Sequence, residues 1–135
     1  MLQWLPGADP ATRTEGDQFV KRALNMFAKH VGVGQRDYVT IAITEVHGIE
    51  VAVVYHIDPK KADRIAGRMR KAGVAASSTS GKDHAETALH QREPTVRVIG
   101  ISNPGGPCPA CESYFENTPD GFANVYWDST GWVRP

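Results

Sequence analysis

The chain has 135 residues, of which 41% are hydrophobic and 22% are charged, and 15 lysine and arginine residues balance 15 aspartate and glutamate residues. This length fits one compact domain that buries roughly two-thirds of the surface of its unfolded form. No apolar run approaches the roughly 20 residues of a membrane helix and no signal-peptide pattern is visible, so we expect no membrane partner. Because the net charge is zero, attraction to phosphate requires a local basic patch.

The N-terminal residues predict an unstructured start followed by a helix. Residues 1–15 contain two prolines and little periodicity, which indicates an irregular lead-in, and we predict a single domain over 16–135. From Asp17 to Val31 apolar residues recur at helical spacing, and Gly32 follows as a stop signal.

A β-hairpin is predicted next. Tyr38 to Ile43 and Glu50 to Tyr55 are rich in β-branched and aromatic residues, and a turn at His47-Gly48 separates them. We interpret the histidines outside the motifs, His30, His47 and His56, as surface or turn residues.

A basic helix follows the hairpin, from Asp58 to about Lys71, with Gly73 as its stop signal. Its apolar positions are Ala62, Ile65, Ala66 and Met69. Its exposed face is either an ordinary solvated surface or one that follows the phosphates of a nucleic acid. The candidate backbone-contacting residues are Lys60, Lys61, Arg64, Arg68 and Lys71.

Residues 75–81 are small and polar, which predicts a flexible loop. Asp83 is a candidate N-cap of a short helix that ends before Pro94. The apolar stretch from Val96 to Ile101 then predicts a buried central strand.

Residues 103–107 turn the chain, and Cys108 to Asn117 suits a helix with both cysteines at its N-terminus. The last two strand-like stretches, 122–127 and 132–133, are joined by four residues. A parallel crossover needs a dozen or so, so we predict an antiparallel C-terminal hairpin.

Two motifs carry chemistry: His84-Ala85-Glu86, and Pro107-Cys108-Pro109-Ala110-Cys111. One histidine and two cysteines suit a catalytic zinc, since three protein ligands leave the fourth position for water. Glu86 follows His84 by two residues, at an angle suited to the protons of that water. A structural zinc would require a fourth protein ligand, and His90 points elsewhere because it lies six residues along the helix.

Other interpretations of these residues stay open. A C-x-x-C pair alone also fits redox chemistry or a buried reduced pair, although the upstream H-x-E favours zinc. Tyr114 is interpreted as a core residue, whereas Trp127 in the terminal hairpin fits either core packing or base stacking.

The two motifs resemble the H-x-E and P-C-x-x-C signature of the cytidine deaminase superfamily. The resemblance implies that His84, Cys108 and Cys111 bind Zn²⁺ and that Glu86 transfers protons. It also implies a three-layer α/β fold, with a central mixed five-stranded sheet, helices on both faces and an antiparallel C-terminal hairpin. This chain departs from the family pattern at one point. The basic helix and its loop lie between the hairpin and the H-x-E helix, which follow one another almost directly in the simplest members of the family.

Residues 102–108, Ser-Asn-Pro-Gly-Gly-Pro-Cys, together with the tight final hairpin, look like the bacterial polymorphic-toxin deaminases that act on DNA. This resemblance implies a monomeric enzyme that converts cytosine to uracil in single- or double-stranded DNA. It further implies a cognate immunity protein and, for a toxin domain, secretion and action in the cytoplasm of a target cell. The candidate substrate-contacting residues are Ser80, Ala85, Asn103, Pro107 and Trp127.

Two other functions fit the same motifs. The first is deamination of free cytidine or of RNA bases, adenine included, which zero net charge favours. The second is a non-catalytic zinc-binding module that recognises a partner protein, against which Glu86 argues because a structural site has no use for it.

Overall fold

The computed structural model describes residues 10–96, 98–102, 108–116, 126–128 and 131–133. The helices are α1 Pro10–His30, α2 Pro59–Lys71, α3 Ala85–Arg92 and α4 Pro109–Glu116, with a 3-10 helix, η1, at Val33–Tyr38. The strands are β1 Val39–Val46, β2 Ile49–His56, β3 Ala75–Thr79, β4 Val98–Ile101, β5 Tyr126–Asp128 and β6 Gly131–Val133.

The strands form one mixed sheet in the order β3-β2-β1-β4-β6-β5. The pair β2–β3 is parallel, and the other four neighbouring pairs are antiparallel. The prediction of an α/β fold with a mixed sheet and a C-terminal antiparallel hairpin is therefore confirmed.

The sheet has six strands where five were predicted, because β3 occupies the segment predicted as a flexible loop. Its small polar residues carry little strand signal of their own. After α2, Gly73 adopts a φ of 92° and reverses the chain, so that Ala75 pairs with Val51 and Thr79 with Tyr55. The pairing with β2, completed through the helical crossover of α2, is what makes this segment a strand.

Helix α1 begins at Pro10, whereas the sequence predicted an irregular lead-in to residue 15 and a helix from Asp17. Proline is well tolerated in a first helical turn because its missing N–H would have no partner inside the helix. The early proline therefore starts this helix. Residues 1–9 lie outside the described residues.

The hairpin of β1 and β2 is confirmed, with strands slightly longer than predicted. His47 and Gly48 have φ values of 51° and 77° between paired Val46 and Ile49. Two successive residues with positive φ give the type I′ geometry that matches the twist of the strands. Helix α2 begins where it was predicted to, and Asp58 caps it by accepting a hydrogen bond from the Lys60 N–H at 3.0 Å.

Alternate residues of the sheet bury two separate hydrophobic clusters. Val39, Ile41 and Ile43 of β1 pack with α1 and α2. Ala42 of β1 and Val53 of β2 pack with α3 and α4. Because neighbouring strand residues point to opposite faces, helices cover both faces of the sheet, as predicted. Among the described residues, no helix has the length and apolar character needed to cross a membrane.

Candidate metal centre

Three predicted ligands meet between the N-terminal ends of two helices. His84 is the residue before α3, Cys108 is the residue before α4, and Cys111 lies in the first turn of α4. The Nδ1 of His84 is 3.2 Å from the Sγ of Cys108 and 3.2 Å from the Sγ of Cys111. The two sulfurs are 3.5 Å apart, so the thiols are free and not bonded as a disulfide.

These distances fit the donor set of a tetrahedral zinc ion. Zinc bonds of about 2.0 Å to nitrogen and about 2.3 Å to sulfur place the donors about 3.5 to 3.8 Å apart. The observed edges are slightly shorter, by a few tenths of an ångström. Among the described residues, His84, Cys108 and Cys111 form a group whose donor atoms lie close enough together to hold a metal ion.

The helix ends also favour the charge that metal binding requires. The N-terminus of a helix carries a partial positive charge, which stabilises thiolates and other anions nearby. Burial nevertheless raises the pKa of the Cys111 thiol far above its ordinary value, with a further contribution from Glu86. The thiol is therefore protonated unless a cation occupies the site, so that metal binding and loss of its proton go together.

Glu86 lies in the first turn of α3 with only 3% of its surface exposed. Burial raises the pKa of its carboxyl, an effect that hydrogen bonds from backbone and Cys111 and the proximity of His84 partly offset. The raised pKa makes this carboxyl a better proton acceptor than an exposed one, and a carboxyl can return the proton that it accepts. The predicted cap Asp83 is exposed, and His84 itself takes the N-cap position.

A cavity of about 110 Å³ opens beside these groups, here called the metal-site cavity. It is lined by Thr40, Tyr55, His84, Ala85, Glu86 and Cys108. Sites for drug-sized ligands measure about 300–1,000 Å³, so this cavity is smaller than such a site. The candidate metal ligands, a buried carboxyl and a space for a small molecule thus share one location.

Tyr55 and Thr40 were missed by the sequence analysis. They are opposite one another in the β1–β2 ladder and therefore point to the same face. The Tyr55 ring meets the His84 imidazole edge-on, with centroids 5.3 Å apart, and its hydroxyl donates to the Gly81 carbonyl at 2.9 Å. The alternation of the strand from Val53 could have predicted that Tyr55 points to this face. It could not have predicted that α3 covers this face of the sheet.

The predicted substrate-contacting residues fall into three groups. Ala85 lines the metal-site cavity. Ser80 does not, and its carbonyl accepts a hydrogen bond from the Asp83 N–H at 3.3 Å. Asn103 and Pro107 lie outside the described residues. Trp127 pairs with Trp132 in the final hairpin, and its side chain also lies outside the described part.

The five predicted backbone-contacting cations lie on α2, which covers the sheet face opposite α3. Lys61 is half-buried, and the other four are exposed. The helix begins at the sheet end where β2 finishes beside the metal-site cavity, and it runs away from that end. Lys60 and Lys61 are therefore near the cavity end, whereas Lys71 is at the far end of a helix about 20 Å long.

Comparison of the chain with protein-family models, with curated proteins and with solved structures finds no match. The function is therefore argued from the geometry of the site and from the motif resemblance.

Proposed function

We propose that this chain is a zinc-dependent deaminase with a cytidine deaminase-like fold that converts cytosine to uracil in DNA. The observation that carries the proposal is the buried carboxyl of Glu86 in the same small cavity as His84 and Cys108. A purely structural zinc site has no need of such a carboxyl or of an open space beside it.

His84, Cys108 and Cys111 would hold the zinc, which supplies a Lewis acid strong enough to make water reactive near neutral pH. Glu86 accepts a proton from the attacking water and delivers it to the ring nitrogen. The water oxygen bonds to C4 of cytosine. Glu86 then carries the second proton to the amino group, the C4–N bond breaks, and uracil and ammonia leave.

The walls of the metal-site cavity can orient the base. Ala85 is the first residue of α3, and the first N–H groups of a helix have no partner within the helix. Its N–H can therefore donate to the carbonyl oxygen of a pyrimidine. The Tyr55 ring gives one wall an aromatic surface.

The test compares zinc-loaded wild-type protein with Glu86→Gln on four substrates: single-stranded DNA, duplex DNA, RNA and free cytidine. Uracil is read by sequencing, or by mass spectrometry for the nucleoside. We expect uracil in DNA from the wild type and none from Glu86→Gln, with equal zinc content in both. If product forms only from cytidine or only from RNA, the chain is a deaminase of that substrate and the proposal of DNA as substrate is wrong. If the zinc-loaded wild type forms no product from any substrate, the deaminase proposal is wrong, and the alternative of a non-catalytic zinc-binding module takes its place.

The toxin resemblance adds a partner to this proposal. A cognate immunity protein would bind over the metal-site cavity and exclude substrate from it. The parent protein would then be secreted and act in the cytoplasm of a target cell.

A further inference from the structure

The charges of this neutral chain are strongly segregated. The 13 residues of α2 include the single carboxylate Asp63, which accepts a hydrogen bond from the Ser78 hydroxyl. The same helix has six cations, which are Lys60, Lys61, Arg64, Arg68, Arg70 and Lys71. The helix therefore presents a local positive field although the molecule as a whole has none.

Within the described part of the chain, none of these cations forms an ion pair with a carboxylate. The ion pairs found there join Arg22 of α1 to Glu45 and Glu50. Positive potential also reaches the end of α1, where Lys29 and Arg68 add to burial in lowering the pKa of His30. An unneutralised group of cations on a stable helix fits an anionic partner.

Three of the cations line a common groove. Lys61, Arg64 and Arg68 recur at the spacing of one helix face and, together with Gly32, Gln35 and Ile65, surround a cavity of about 170 Å³. We call this cavity the basic groove. Arg68 is anchored there because its guanidinium donates to the His30 carbonyl at 2.8 Å. Lys60 and Lys71 do not line it.

The basic groove lies at the same end of the sheet as the metal-site cavity. Helix α1 ends there, η1 crosses there, and α2 begins after β2 ends there. A further cavity of about 440 Å³ is lined by Leu24, Phe27, Arg36 and Asp37, among others, and it shares Thr40 with the metal-site cavity. We call it the intermediate cavity, because the chain segment that leaves the basic groove lines it before reaching Thr40. The segment 32–40 thus borders all three spaces in turn.

We propose that the basic groove binds the phosphates of a single nucleic-acid strand whose target base enters the metal-site cavity. The second half of this statement rests on the proposed function, whereas phosphate binding at the groove does not. The intermediate cavity would take the nucleotide between them. A ligand that occupies the groove and the metal-site cavity together must be a polynucleotide, so the substrate class that this proposal names is a polynucleotide.

The test measures binding of a fluorescent single-stranded DNA oligonucleotide by anisotropy at several salt concentrations, in the zinc-loaded Glu86→Gln protein. Arg64→Glu is compared with Lys71→Glu, which makes the same charge change on the same helix outside the groove. We expect Arg64→Glu to weaken binding about tenfold more than Lys71→Glu. We also expect it to reduce the slope of log Kd against log salt by about 0.7 for each phosphate group that the protein no longer neutralises.

Arg64→Gln, checked for an unchanged melting temperature, guards against misfolding and should give a smaller effect in the same direction. Equal effects of Arg64→Glu and Lys71→Glu would overturn the proposal, since they would indicate that the oligonucleotide is attracted to the whole helix and not to the groove. Displacement of the oligonucleotide by polyglutamate of equal charge would also overturn it, in favour of an acidic protein partner. Groove-dependent binding without uracil formation by the wild type would contradict the proposed function and leave phosphate binding intact.

Discussion

The Nδ1 of His90 and the hydroxyl of Tyr114 lie 2.9 Å apart and share a hydrogen bond between α3 and α4. Their rings meet edge-on, with centroids 5.7 Å apart. His90 follows Glu86 by four residues and Tyr114 follows Cys111 by three, so each lies one turn beyond a metal-site residue on the same helix face. The bond therefore helps to set the distance between the helices that carry the candidate metal ligands.

Replacing Tyr114 with phenylalanine removes this hydrogen bond and keeps the ring. We expect zinc affinity to fall by up to about tenfold, less than the loss of a group hydrogen-bonded to a metal ligand itself, because this bond acts through the position of the helices. Competition with a chromophoric chelator measures the affinity, and the absorption spectrum of the Co²⁺ form reports ligand geometry. Tyr38→Phe is the matched control, because Tyr38 is exposed on η1. Equal affinities in the two variants would show that the bond does not position the ligands.

Zinc should stabilise the protein, because metal that binds only the native state shifts the unfolding equilibrium. We expect a chelator to lower the melting temperature of the wild type. Cys111→Ser should lack zinc and should show no such response. Glu86→Gln serves as the control that retains both zinc and the response. Zinc in Cys111→Ser at the wild-type ratio, measured by atomic absorption, would remove Cys111 from the ligand set.

Gly100 lets α1 lie directly on β4. A Cβ added there would overlap the backbone of Phe19 and Val20, which a small side-chain movement cannot relieve. We expect Gly100→Ala to lower the free energy of unfolding by at least about 1–3 kcal/mol, measured by denaturant titration. Gly34→Ala is the control, since nothing lies within 4 Å of its added Cβ and its change should stay within about 0.5 kcal/mol. Similar midpoints would contradict this close packing.

His56 was predicted as a surface or turn residue, but it is only 3% exposed. Its Nδ1 accepts from the Asp58 N–H at 2.9 Å, and its Nε2 is 2.9 Å from the Gln35 amide oxygen. The first bond requires an unprotonated Nδ1. Burial, with a contribution from Lys61, lowers the pKa of His56 below 6.5, and Asp58 partly opposes the shift.

Because the folded-state pKa is the lower one, the unfolded chain takes up a proton first as the pH falls. The contribution of His56 to stability is therefore complete above about pH 6.5 and is lost as the pH falls from there through the folded-state pKa. We expect His56→Asn to flatten this part of the stability profile, measured by denaturant titration at each pH. His47→Asn, in an exposed turn with φ of 51°, should leave the profile as in the wild type.

Much of the architecture follows from local sequence. The helical spacing and the bounds of α2, the turn at His47-Gly48 and the cysteines at the start of α4 were all predicted correctly. In each case the determining interactions lie within a few residues of one another. The strand β3 was wrongly predicted as a loop, because its pairing with β2 depends on a crossover through a whole helix.

The same division holds for the candidate site. Residue chemistry, short spacing within each motif and the motif resemblance named His84, Cys108, Cys111 and Glu86, since donor atoms and their offsets are local properties. Only the tertiary structure brought Tyr55 to the site, by way of strand register and the helix above it. Likewise, only the fold divided the cations of α2 into those that line a groove and those that do not, because the groove forms where α1, η1 and α2 meet.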